Sequence, residues 1–160
     1  MKSIITSAPG KIVIIGEFAV LKNAPSISMA INRRAIVSIK EIQDSSHIIK
    51  THGIVESEWR FNESESEEFI WLGSEPQKNI LELFVLFWRK VKIESNIKYK
   101  FTLDTSMFFD PIKKNKLGLG SSSALIVAMS IAFIKFFDIS ENINDFAHQI
   151  HSEFQSGLGS

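Results

Sequence analysis

The stretch KLGLGSSSALIVAM, residues 116–129, places two glycines and three consecutive serines directly before a long apolar run. The run is apolar on nearly every side, which predicts a central, buried helix that begins near Ser121. The question is why a flexible, hydroxyl-rich segment stands in front of a buried helix.

Phosphate binding is one answer. The first backbone N–H groups of a helix have no partner within it and carry a partial positive charge, so they attract anions. Gly118 and Gly120 would let the backbone approach the anion closely. The serines offer hydroxyls to phosphate oxygens or to a magnesium ion carried on them. The alternative is an ordinary glycine turn followed by an N-cap serine.

A second glycine element, APGKI, lies at residues 8–12 at the start of a strand-like stretch. It is not a nucleotide-binding P-loop, because Ile12 follows Lys11 where that loop requires Ser or Thr. Taken by itself, Lys11 is either a surface lysine or a cation that serves a phosphate site.

Further patterns indicate an α+β fold. Residues 4–42 are rich in Ile and Val, and residues 47–61 resemble a hairpin with Gly53 near its turn. Residues 97–103 alternate apolar and polar side chains, as in a strand buried on one face. Residues 76–93 carry apolar side chains at helical spacing. We expect a mainly antiparallel sheet with helices packed on one side, near residues 78–92, 121–137 and 141–155.

Length and composition indicate one globular domain. The chain has 160 residues, 44% of them hydrophobic, and 18 basic residues balance 18 acidic ones. Because there is no net positive field, we expect no nucleic-acid partner, and because no apolar run reaches the roughly 20 residues of a membrane span we expect no membrane partner. The chain has no cysteine, so disulfides and thiolate sites are excluded and a cytoplasmic location is expected.

Three stretches in this order resemble the GHMP family of small-molecule kinases: SAPGKIVIIGEFAVL at 7–21, KLGLGSSSA at 116–124 and HSEFQSGLGS at 151–160. The first is similar to the opening motif of the mevalonate and phosphomevalonate kinase branches. The second resembles the family's phosphate loop, with Ser123 in place of an alanine. The third has His, Gln, Gly and Ser at the spacing of phosphomevalonate kinases. The resemblance spans almost the whole chain.

The resemblance implies transfer of the γ-phosphoryl group of ATP, with Mg²⁺, to a small-molecule substrate. Mevalonate 5-phosphate is the expected acceptor, and mevalonate is the alternative. Lys11 would be the catalytic residue, and Ser122 would bind the metal. Residues implied in ATP binding are Lys116, Gly118, Leu119, Gly120, Ser121, Ser122 and Ser123. Residues implied in substrate binding are Lys11, Glu17, Gly159 and Ser160.

Three other side chains keep two interpretations each. Arg33 and Arg34 are either anion partners for a phosphorylated substrate or strand-end residues that face solvent. His151 is either a base or, as its place on a polar helix favours, a structural residue.

In the family, the Gly-Ser pair is followed by a glycine, one residue and an aspartate that resembles a catalytic base. This sequence ends at Ser160. The resemblance therefore implies that residues 1–160 are the N-terminal, ATP-binding domain of a kinase, truncated before that aspartate and without the C-terminal domain. A separate C-terminal half or a homodimer would then be a partner, and the chain alone would turn over negligibly. Because this fold resembles a domain of ribosomal proteins, a non-catalytic fragment or nucleic-acid-binding module is the rival interpretation.

Overall fold

The computed structural model describes residues 1–53, 55–64, 69–77, 81–91, 93 and 96–157. Within these residues, six strands form one sheet and three α-helices pack on one of its faces. The strands are β1 (Ser3–Ile15), β2 (Ile27–Ile42), β3 (His47–His52), β4 (Ser57–Glu63), β5 (Phe69–Leu72) and β6 (Lys98–Asp104). The helices are α1 (Glu82–Val91), α2 (Ser121–Phe136) and α3 (Ile143–Gly157), with short 3₁₀ turns at Ala19–Lys22 and Ser106–Phe108.

The strand order is β1-β2-β6-β3-β4-β5. Every neighbouring pair is antiparallel except β3 and β6, which run parallel. The predicted α+β class, the mainly antiparallel sheet and the one-sided helix layer are therefore confirmed. The parallel pair was not predicted, because a strand from the β3–β4 hairpin lies beside a strand from much later in the chain.

The core lies between the sheet and the helices. On β6 the alternation holds for Tyr99, Phe101 and Leu103, which are all buried, whereas Ile97 precedes the strand and is 47% exposed. The ring of Phe101 lies 4.9 Å from that of Phe84 on α1 and 5.7 Å from that of Phe133 on α2. Helix α2 is central, as its sequence predicts: most of its side chains are buried.

The outer parts of β1 and β2 extend beyond this core. After a register shift between Pro9 and Gly10, residues 10–15 pair with residues 27–31 to form a two-stranded segment that we call the outer ribbon. Its apolar side chains are largely exposed, including Ile14 at 55% and Ile27 at 57%. The helices therefore leave the outer ribbon uncovered, and its polar groups are open to other molecules.

None of the described helices is long and apolar enough to cross a membrane. The longest of them, α2, has 16 residues.

Candidate functional site

The loop at residues 116–120 is held at both ends by backbone contacts. Lys116 forms an isolated bridge with Phe109, and the amide of Leu117 donates to the carbonyl of Phe108 over 2.9 Å. Near the helix, the carbonyl of Leu119 accepts a hydrogen bond from the amide of Lys11 over 3.0 Å. The loop therefore joins β1 to the N-terminus of α2, and we call it the glycine loop.

Both glycines of this loop have a left-handed backbone conformation, which explains why glycine occupies these positions. Gly118 has φ +71° and Gly120 has φ +74°, a conformation that other residues adopt only with strain. A Cβ on Gly120 would lie 3.1 Å from Cγ of Lys11, whereas a Cβ on Gly118 would meet nothing within 4 Å. Gly120 is thus required by both conformation and close packing, and Gly118 by conformation alone.

The three serines form the first turn of α2, and none of them caps it. The N-cap residue is Gly120, which makes no side-chain capping bond. The alternative of an N-cap serine is therefore wrong, because the helix already begins at Ser121 and the N-cap position falls on Gly120. Ser121 is 4% exposed, Ser123 is half-buried and Ser122 is exposed. Of the three hydroxyls, that of Ser122 is the most accessible to a ligand.

A cleft of about 630 Å³ lies between the outer ribbon and the glycine loop. It brings together residues from the two ends of the sequence. Its lining consists of Lys11, Ile12, Val13, Gly16, Glu17, Ser26, Ser28, Gly118, Leu119 and Gly120. Lys11 and Glu17, two of the sequence-predicted site residues, thus share one cavity with the glycine loop. Lys116 is exposed and is not among the lining residues.

Gly16, which directly follows β1, lines the cleft and allows a close approach of the chain. This residue has φ +89°, and a Cβ there would lie 2.6 Å from the carbonyl oxygen of Pro25. The absence of a side chain lets the segment before β2 approach, which brings Ser26 and Ser28 to the cleft wall. Sequence reasoning did not single out these two serines, because their only signal is the alternation of PSIS within a strand-like stretch.

The arginines of β2 have structural partners. Arg33 Nη1 donates to the carbonyl of Met107 over 2.8 Å, and Arg34 Nε donates to Ser7 Oγ over 2.9 Å. Neither arginine lines the cleft. Both guanidinium groups thus bind within the chain, an arrangement that does not favour their interpretation as anion partners.

A turn at Asp110 leads into the glycine loop. The Asp110 carboxylate accepts hydrogen bonds from the amides of Lys113, over 2.7 Å, and Ile112, over 2.9 Å. These bonds hold the pKa of the Asp110 carboxyl below its ordinary value. The ordered turn sets the position from which Lys116 and the glycine loop begin.

Gly159 and Ser160, the remaining predicted substrate residues, lie outside the described residues. His151 is described, and it lies on α3 in a separate groove rather than in the cleft.

Comparisons with known proteins identify a matching family model and a shared fold. A sequence model of the N-terminal domain of GHMP kinases matches residues 80–160, just over half of the chain, which include the glycine loop, α2 and α3. No curated protein sequence matches the chain.

Solved structures share the fold. Mevalonate kinase from Methanococcus jannaschii matches with a TM-score of 0.65 and 20% identity over 97% of this chain and 48% of that protein. Phosphomevalonate kinase from Streptococcus pneumoniae, in complex with phosphomevalonate and AMPPNP, matches with a TM-score of 0.58 and 16% identity over 94% and 42%. Galactokinase from Lactococcus lactis, complexed with galactose, matches with a TM-score of 0.60 and 10% identity over 95% and 38%. The chain spans about half the length of the mevalonate kinase and less than half the length of the phosphomevalonate kinase and the galactokinase.

Proposed function

The chain belongs to the GHMP kinase family, and on that basis we propose that it binds ATP for phosphoryl transfer to mevalonate 5-phosphate. The observation that carries the proposal is the cleft in which Lys11 and Glu17 lie beside Gly118, Leu119 and Gly120. Catalysis of phosphoryl transfer consists mainly of positioning and charge stabilisation. This cavity combines groups suited to both: a cation, a carboxylate and a glycine-rich helix start.

In this proposal the ATP phosphates bind at the glycine loop and the first turn of α2. The N–H groups at the helix start have no side-chain cap, so they are available to phosphate oxygens. Ser122 adds an exposed hydroxyl and Ser123 a half-buried one. Ser121 is buried, so it contributes its backbone N–H and not its hydroxyl. Lys116 is exposed and adds positive charge at the start of the loop.

Magnesium fits the residues that are present. Mg²⁺ keeps several waters and phosphate oxygens and takes only one or two protein ligands in such sites. The exposed Ser122 hydroxyl is one suitable ligand. Among the residues that the structure describes, no group of three or more His, Asp or Glu side chains could hold a metal by itself. The ion would therefore arrive with the nucleotide, where it neutralises phosphate charge.

The acceptor would bind in the cleft beside Lys11. The Lys11 ammonium stabilises negative charge on the transferring group, and Glu17 orients either the acceptor or Lys11. Gly159 and Ser160 complete the acceptor site in this proposal. Mevalonate 5-phosphate is favoured over mevalonate by the spacing of His151, Gln155 and Gly159 with Ser160, which resembles phosphomevalonate kinases.

We further propose that residues 1–160 form the N-terminal, ATP-binding domain of such a kinase. The solved kinases it resembles are at least twice as long. A second half, in the same or a separate polypeptide, or a second copy of the chain, would complete the cleft. The 160-residue polypeptide alone is therefore expected to bind the nucleotide weakly and to turn over negligibly. Steady-state phosphorylation of mevalonate 5-phosphate by the purified polypeptide would contradict this expectation.

Calorimetric titration of magnesium-ATP into the purified chain tests the nucleotide site. We expect binding by the wild type and its loss in a Gly120→Val, Ser122→Ala double variant. The matched control is Gly73→Val, Ser38→Ala: Gly73 also has positive φ, at +98°, with open space around it, and both residues lie outside the cleft. Equal binding by the first variant and the wild type, or no binding by the wild type, would contradict the proposal.

Product analysis tests the acceptor. The chain is combined with a polypeptide that corresponds to the second half of the matched kinases, and each acceptor is supplied with ATP. Preferential formation of mevalonate 5-diphosphate supports the proposal. Preferential formation of mevalonate 5-phosphate from mevalonate would instead assign the chain to the alternative activity.

A further inference from the structure

A second cavity lies between α2 and α3, with a volume of about 240 Å³. It shares no lining residue with the cleft. We call it the histidine groove, since two imidazoles dominate its polar wall. Its lining consists of Ser123, Ile126, Val127, Asn144, Ala147, His148 and His151.

Helical spacing explains why these residues share a groove. On α3, Asn144, Ala147, His148 and His151 are separated by three, one and three positions, which places them on one face. On α2, Ser123 is followed at the same spacing by Ile126 and Val127. Ile126 is 2% exposed and forms the apolar floor, whereas the histidines border the opening.

The direction of the helices brings the groove to the first turn of α2, which follows the glycine loop. Only residues 137–142 connect α2 to α3, and so short a connection makes the two helices antiparallel. The C-terminal half of α3 therefore returns to the first turn of α2. His151, late in α3, lines the same groove as Ser123, the third residue of α2.

The two imidazoles have no hydrogen-bonding or ionic partner among the residues that the structure describes. Over the described part of the chain, neither His148 nor His151 makes a hydrogen bond or an ion pair. No carboxylate lines the groove, and Glu153 on α3 is paired instead with Lys90 on α1, at 2.7 Å. The lining of the groove thus offers N–H and O–H donors close to the start of α2. No carboxylate belongs to that lining, and Asp145, three positions before His148 on α3, lies outside it.

We propose that His148 and His151 bind phosphate oxygens of the nucleotide from the α3 side. The proposal rests on the nucleotide site proposed above and extends it to a second wall. The glycine loop and the α2 amides would hold the phosphate chain from one side, and the imidazole N–H groups would donate to it from the other.

The test uses the whole chain, with tripolyphosphate and magnesium-ATP as probes. Imidazole signals in ¹H–¹³C NMR spectra are followed during each titration, and affinities are measured for His148→Gln and His151→Gln. We expect the signals of His148 and His151 to shift, and each variant to bind about tenfold more weakly, as the loss of one hydrogen bond to a charged group predicts. The control His52→Gln lies on β3, where His52 pairs with Glu56 outside the groove, and is expected to bind like the wild type.

The outcomes separate this proposal from the one it rests on. Failure of the wild type to bind either probe would overturn the nucleotide site and this proposal together. Normal binding by both variants, or binding by the wild type without a shift of either imidazole signal, would overturn this proposal alone. Shifts of the two imidazoles with zinc chloride but not with tripolyphosphate would overturn it in favour of a metal site. The wild-type spectra answer the question even if a variant folds poorly.

Discussion

The backbone amide of Lys11 donates a hydrogen bond over 3.0 Å to the carbonyl oxygen of Leu119, although the two residues belong to distant parts of the sequence. This bond connects the outer ribbon to the glycine loop. Because the loop continues directly into α2, the position of Lys11 relative to the helix start is set by backbone contacts and not by its flexible side chain. A change that separates the two segments should therefore affect stability and ligand binding together.

Gly120→Ala should have this double effect. The left-handed conformation of Gly120 costs about 1–2 kcal/mol for a residue with a Cβ, and the new methyl group would lie 3.1 Å from Cγ of Lys11. We expect a lower free energy of unfolding in urea and weaker binding of magnesium-ATP by calorimetry. Gly73→Ala is the control, since it has φ +98° with no atom within 4 Å. A similar loss of stability without loss of binding is expected there, and equal binding by both variants would contradict the role of Gly120.

Gly10→Ala tests the packing behind the glycine loop. A Cβ at Gly10 would lie 2.5 Å from Cε1 of Phe108 and 2.6 Å from the carbonyl oxygen of Leu119. Because φ of Gly10 is not positive, the expected loss of about 1–3 kcal/mol in the free energy of unfolding comes from overpacking alone. Urea denaturation measures it.

A double variant separates the two contacts of Gly10. Phe108→Leu removes the ring that the new methyl group meets. The double variant should therefore lose less free energy of unfolding than the sum of the losses in the two single variants. Strict additivity would mean that the carbonyl of Leu119, and not the Phe108 ring, sets the cost.

His47 should make stability depend on pH. Its ring is 2% exposed and lies 5.0 Å from that of Phe61, and its Nδ1 accepts the amide hydrogen of Tyr99 over 3.2 Å. Burial, and secondarily the charge of Lys98, lowers the pKa of His47 from 6.5 to about 4. Between these values the unfolded chain binds a proton that the folded chain does not, so stability falls as the pH is lowered through this window. At pH 5 this difference in proton binding lowers the free energy of unfolding by about 2 kcal/mol.

Urea denaturation at pH 7 and pH 5 measures this effect in the wild type and in His47→Phe. The variant should lose less stability between the two pH values, because all the other ionisable groups are the same in the two proteins. An identical pH dependence in the two proteins would mean that folding does not lower the pKa of His47.

Phe101→Ala should be among the most destabilising core substitutions. The Phe101 side chain is fully buried, and three aromatic rings lie within 6 Å of its ring centroid, on Phe84, Trp88 and Phe133. Removing it leaves a cavity where the sheet meets α1 and α2, so we expect a loss of about 3–5 kcal/mol. Ile5→Ala is the control: Ile5 is 76% exposed, and its replacement should change the free energy of unfolding by no more than about 0.5 kcal/mol. Thermal or urea unfolding distinguishes the two.

The fold was predictable where the signal is local. The apolar face of α1 and the alternation of β6 follow from periodicity, and the buried position of α2 follows from its continuous apolar run; both signals depend only on neighbouring residues. The order of the strands did not follow, because the parallel contact of β3 with β6 joins segments that periodicity treats independently. Ile97 was misplaced for a related reason: it continues the alternation, but the strand begins after it at Lys98.

The sequence by itself determined the glycine loop, the helix behind it and the resemblance to a kinase family, because glycine conformations, helix starts and motif spacing are local chemistry. Only the tertiary structure decided which groups meet. It brought Lys11 and Glu17 to the loop, left Ser122 accessible while burying Ser121, and added Ser26 and Ser28 to the cleft wall. It also placed His148 and His151 in one groove with Ser123 of α2. These contacts depend on strand pairing and on the packing of helices across the core, which long-range burial selects and no local pattern encodes.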